Sequence, residues 1–152
     1  MKNKFLESLI RGIDVAGTVD DIKFRYALAK NRKKLMDEIV LLTEVIKPLP
    51  EFVEYDNKRV ALAIKLADKD KDGKPKQENG SYVFTDQTKF DKGFKELKAE
   101  NKKVLDVREK QIEEFTDLLE QESSFEPYQI KEESLPKGLS PAQISGIIDL
   151  IK

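Results

Sequence analysis

Apolar residues in this chain recur at the spacing of a helix, and that periodicity limits its folds more than any other feature. From Ile22 onward, Phe24, Leu28, Leu35, Ile39, Leu42 and Ile46 return at intervals of three, four or seven, or sums of these. Phe90, Phe94, Leu97, Val104, Leu105, Ile112, Phe115, Leu118 and Leu119 repeat the pattern later. Such spacing gathers apolar side chains into one stripe on a helix and scatters them on a strand. The chain is therefore expected to be mainly α-helical, with its core made where stripes meet.

The breaks in the pattern divide it. Asn3 predicts the cap of a first helix reaching about Arg11, which Gly12 ends, and a loop runs to about Asp20. Pro48 and Pro50 kink or break the helix that starts at Ile22, because each lacks an amide donor and disfavours helix in the residue before it. A second stripe, Phe52 to Ala67, fades into the charged run Asp68–Asp72.

The segment Gly73 to Thr85 reads differently. Asn79-Gly80 is a favoured two-residue turn and Tyr82, Val83 and Phe84 favour strands, predicting a β-hairpin of Lys74–Glu78 with Ser81–Thr85. Asp86 caps the longest expected helix, which runs to about Glu122 with only Asn101 and Arg108 interrupting its stripe. The chain is then irregular as far as Ser140-Pro141, a cap and first-turn proline for a last helix, Ala142 to Ile151. With 152 residues, one domain is expected, an antiparallel long-helix hairpin or small bundle with a kinked helix, a β-hairpin tip and short terminal helices.

Composition narrows the chemistry. There is no cysteine and no histidine, which removes disulfides, thiolate nucleophiles, imidazole general bases and the usual zinc ligands. Seven glycines scattered singly build no phosphate-cradling loop. No apolar run approaches the roughly 20 residues of a membrane span, and the first residues lack a signal-peptide core, so a cytoplasmic location is expected. No cofactor is implied. Carboxylate pairs are too abundant among 29 acidic residues to single out an active site.

Charge is segregated, with residues 106–135 strongly acidic and residues 1–47 and 56–105 net basic. Arg25, Lys30, Arg32, Lys33 and Lys34 are expected to meet Glu109, Glu113, Glu114, Asp117 and Glu120 within the fold. Lys69, Lys71, Lys74, Lys76, Lys89 and Lys92, with Lys58, Arg59, Lys65 and Lys95, would instead make the tip basic, a surface for an acidic protein or for nucleic acid.

One local motif suggests a metal. Asp68-Lys-Asp70-Lys-Asp72-Gly73 matches the first half of an EF-hand calcium loop, with carboxylates at positions one, three and five and glycine at six. Its second half departs, with Pro75 at position eight and Asn79 at twelve where a bidentate glutamate is needed. The alternative is a solvated helix end and an Asp-Gly turn.

Several strings in order resemble a small uncharacterised family of tailed-bacteriophage and prophage proteins. They are Tyr26-Ala-Leu-Ala-Lys-Asn31, Pro50-Glu51, Asp72-Gly73-Lys-Pro75 leading to Glu78-Asn79-Gly80, the run Arg108 to Leu119, and Ser140-Pro141. The resemblance implies a phage setting and brings no catalytic residues. The leading expectation is a non-enzymatic accessory protein acting by contact with a phage or host protein. An uncovered helix edge is also compatible with a homo-oligomer. A nucleic-acid-associated protein using the basic tip, a calcium module and a carboxylate-dependent enzyme are the alternatives.

Overall fold

A computed structural model describes residues 1–152. It is mainly helical, with six α-helices and one two-stranded antiparallel sheet. The helices are α1 (Leu6–Ala16), α2 (Ile22–Ile46), α3 (Pro50–Leu66), α4 (Gln87–Glu100), α5 (Lys102–Glu120) and α6 (Pro141–Gly146), and the strands β1 (Gln77–Glu78) and β2 (Ser81–Tyr82). No helix is long and apolar enough to cross a membrane. Contacts group the chain into two units, Met1–Lys47 with Glu114–Lys152, and Pro48–Glu113.

The first unit holds the larger core. Leu6, Leu9, Ile13 and Ala16 of α1 fall on one face and pack with Phe24, Ala27, Leu28 and Leu35 of α2, and Ile130, Ile147 and Leu150 close the cluster. Asp21 caps α2 by accepting from the Phe24 amide at 2.8 Å. The chain after α5 runs back along α2, and Ile130 pairs in parallel with Ile151.

Three expectations are corrected here. Gly12 does not end the first helix, which continues to Ala16. Its missing side chain lets α1 approach α6 closely, since a Cβ at Gly12 would lie 1.9 Å from the Gly146 carbonyl oxygen. Asn3 does not cap its own helix; it is buried and donates from Nδ2 to the Leu118 carbonyl at 2.8 Å, at the end of α5, where that carbonyl also accepts from the Gln121 amide at 3.2 Å. The last helix stops at Gly146 and continues as a short 3-10 turn, Ile148–Leu150, which leaves Ile148 exposed while Ile147 is fully buried. Its start is as expected, with a complete Ser140/Gln143 capping box.

In the second unit α3 runs out and α4 and α5 return. Pro50 occupies the first turn of α3, so the two prolines separate α2 and α3 into distinct helices. Gly93 of α4 lies against the methyl groups of Leu62 and Leu66. The expected single helix from Asp86 is divided at Asn101, whose backbone leaves helical geometry (φ −108°, ψ 21°) and whose Nδ2 donates to the Leu97 carbonyl at 2.8 Å. A side chain that competes for an i−4 carbonyl gives such a break a local cause.

The hairpin forms around the expected turn, with positive φ at both Asn79 (51°) and Gly80 (80°). Its ladder strands are shorter than expected. Beyond Gln77–Tyr82 and Glu78–Ser81, the Val83 amide still reaches the Lys76 carbonyl, but the Lys76 amide and the Val83 carbonyl turn to the backbone of Asp68.

Candidate functional site

The acidic loop spends its carboxylates on the turn itself. Asp68 accepts from the Thr85 amide at 3.0 Å and the Thr85 hydroxyl at 2.7 Å, and these bonds hold its carboxyl below the ordinary value. Asp70 Oδ1 accepts from the amides of Asp72 and Lys74, both at 2.9 Å. The three carboxylates do not converge, and no group of three acidic side chains is arranged to hold a metal ion. The sequence matches the EF-hand where carboxylates are read singly; the chain instead uses Asp68 to tie α3 to the end of the hairpin.

The proposed basic tip is partly neutralised. Lys76 pairs with Glu78 at 2.9 Å, which raises its pKa, and Lys58 and Arg59 pair with Glu54 and Asp56 one turn away, while Lys69 donates to the Ile64 carbonyl at 3.0 Å and keeps its charge uncancelled. Lys71, Lys74, Lys89 and Lys92 are exposed and in no ion pair. Phe84, Phe90 and Phe94 stack in series nearby, with centroids 4.3 and 5.8 Å apart, but all are half-buried and serve the packing of the tip.

The pairing expected between the basic run of α2 and the acidic run of α5 is not made. Glu120 receives Lys2 and Lys4, at 3.0 and 2.7 Å, and Arg32 pairs with Asp14 of α1. The amino terminus, tied down when the Met1 amino group meets Glu122 at 2.6 Å, brings its own lysines to the end of α5. Sequence proximity of charges could not reveal this competitor.

A groove in the second unit has no counterpart among those expectations. Leu49, Phe52, Val104 and Val107 line a space of about 300 Å³, joined by Glu51, Lys103, Arg108 and Gln111. The Arg108 guanidinium stands 5.4 Å from the Phe52 ring centroid and donates to Gln111 Oε1 at 2.6 Å. Leu49 and Val107 remain 45% and 51% exposed. Arg108 had stood out as a polar interruption of the α5 stripe, and the structure gives that interruption a place over an aromatic ring. The surface the groove leaves open is mainly that of Leu49, Phe52, Val104 and Val107, and Arg108 and Gln111 are bonded to each other at its edge, so its chemistry suits an apolar side-chain row better than a metabolite.

Comparison with family models, with curated proteins and with solved structures returned no match.

Proposed function

We propose that this chain is a non-enzymatic accessory protein of a phage or prophage, acting in the host cytoplasm by contact with another protein. The observation that carries the contact mode is the groove between Leu49 and Phe52 of the α3 start and Val104 and Val107 of α5. An amphipathic helix of a partner, inserting residues spaced by three or four, would bury the apolar surface left in water here. The phage setting rests on the family resemblance of the strings from Tyr26 to Pro141. A carboxylate-based enzyme would need acids withdrawn from water to tune their proton affinity, whereas the buried polar side chains are two asparagines, Asn3 and Asn31.

A photo-crosslinking residue at Val107, used in cells that express the chain, is expected to capture a discrete protein partner. Val107→Glu should abolish capture of that partner by a tag on the chain. Equal capture by Val107→Glu would overturn the groove reading. Turnover of a substrate by purified protein that captures nothing would overturn the non-enzymatic one.

A further inference from the structure

Between Ile22 and Met36 the helix α2 carries six cations, Lys23, Arg25, Lys30, Arg32, Lys33 and Lys34, and no acid. Only Arg32 has a carboxylate partner, Asp14. Lys34 donates to the Glu126 carbonyl at 2.9 Å, which solvates its charge without cancelling it. Relative to Tyr26, Lys23, Lys30, Lys33 and Lys34 lie at −3, +4, +7 and +8, so all four share its face of the helix. Phe24, Ala27, Leu28, Asn31 and Leu35 face the core, leaving that basic side in solvent.

Aromatic rings stand among these charges. Tyr26 is 62% exposed and Tyr128 44% exposed, and Lys30 Nζ lies 4.9 Å from the first ring centroid and 4.5 Å from the second. The placement of Tyr128 is built in. The fully buried Asn31 accepts from the Tyr128 amide at 2.7 Å and donates to its carbonyl at 2.9 Å, fixing that backbone beside α2. Tyrosines left open on a run of uncompensated lysines supply the two elements that single strands require, cations for phosphates and π-faces for bases. An acidic peptide would use the lysines but gain little from the rings.

We propose that this face of α2, with Tyr26 and Tyr128, binds single-stranded nucleic acid. It is separate from the groove, so protein contact through Val107 and strand binding through Tyr26 can fail independently. Lys23 to Lys34 spans about 16 Å along the axis, enough for a strand of a few nucleotides. Four phosphate contacts predict a log–log salt slope of about −3.

Fluorescence anisotropy of the full chain with a labelled oligothymidylate of about 20 nucleotides tests this. Expected are salt-sensitive binding, roughly ten-fold weakening by Tyr26→Ala, retention by Tyr26→Phe, and a shallower salt slope in Lys33→Glu. The paired duplex should bind more weakly, because its bases are already stacked. Far-UV circular dichroism establishes that each variant is folded, and the exposure of Tyr26 and Lys33 makes both safe positions. The proposal is overturned by absence of binding at low salt, by folded Tyr26→Ala binding as wild type does, or by polyglutamate binding as tightly. Loss of binding in Lys71→Glu/Lys74→Glu with α2 intact would move the activity to the hairpin tip and overturn it equally.

Discussion

Gly12→Ala offers the sharpest test of the packing described for α1 and α6. Alanine is ordinarily the better helix residue by about 1 kcal/mol, so in an open helix interior the change would stabilise. Here the new Cβ would sit 1.9 Å from the Gly146 carbonyl oxygen, 2.5 Å from its carbonyl carbon and 2.9 Å from its Cα. Real Cβ atoms essentially never come closer than 3.0 Å to a neighbour, so the helices must separate by more than an ångström. All three neighbours are backbone and cannot rotate away. Overpacking of a core costs about 1–3 kcal/mol and more where backbone must shift. The helices that would separate carry Leu9 and Ile13 on one side and lead into the fully buried Ile147 on the other. With overpacking at the top of that range, about 3 kcal/mol, a net loss of about 2 kcal/mol is expected after the propensity gain.

Two other glycines calibrate that figure. A Cβ at Gly146 meets the Gly12 Cα at 2.9 Å, a smaller intrusion, and should cost about 1 kcal/mol. At Gly93 the nearest atoms are Leu62 methyls at 3.4 and 3.5 Å, so alanine there should stabilise its unit by about 0.5–1 kcal/mol. Urea unfolding followed by circular dichroism gives the three values. Gly12→Ala matching or exceeding wild-type stability would refute the close approach, and a uniform gain at all three sites would show that helix propensity alone governs them.

Asn31→Ala should cost about 3 kcal/mol in urea unfolding, since it strands the amide and carbonyl of Tyr128, previously bonded at 2.7 and 2.9 Å; a loss below about 1 kcal/mol would mean water replaces the side chain. Lys4 and Lys2 hold Glu120, and the amino terminus holds Glu122, below the ordinary 4.5. Each therefore binds a proton more readily in the unfolded chain. Their stabilisation is complete above that ordinary value and is lost as pH falls through the lower folded ones, so Glu120→Gln should flatten the acid side of a Tm–pH profile. Asp68→Ala should speed hydrogen exchange at the Thr85 amide, whereas calcium should leave exchange across residues 68–73 of the wild-type chain unchanged, and protection gained there with calcium would revive the metal reading.

Local signals in the sequence were legible where both partners lie within a few residues. Asp86 and Ser140 cap the helices they precede, and Asn79-Gly80 makes the turn it encodes. Signals with two local meanings needed the fold to decide between them. Gly12 could stop a helix or let two helices touch, and Asn3 could cap its own helix or the end of α5. Asp68 could bind calcium or Thr85. The groove was hidden for a related reason: Val104 looks like an ordinary stripe residue, and Leu49 and Val107 lie outside the stripes, until the antiparallel return of the chain brings Phe52 and Arg108 to the same place.

The allocation of charge within the first unit links its stability to its surface. The strongly acidic end of α5 could have neutralised α2, but Lys2, Lys4 and the Met1 amino group reach Glu120 and Glu122 first. Those pairs lie between segments more than a hundred residues apart in the chain, and so they help hold the amino terminus in place. On α2, Lys23, Lys30 and Lys33 stand exposed beside Tyr26 with no carboxylate partner. Exposed pairs of this kind contribute little each to stability. Replacing Glu120 and Glu122 by glutamine should therefore change unfolding modestly while leaving the α2 face intact. Strand binding in that double variant is expected to equal or exceed wild type, because two negative charges have been removed from the same unit. Weaker binding, measured by the same anisotropy titration on folded protein, would show that the amino-terminal clasp shapes the α2 surface rather than merely leaving it uncovered.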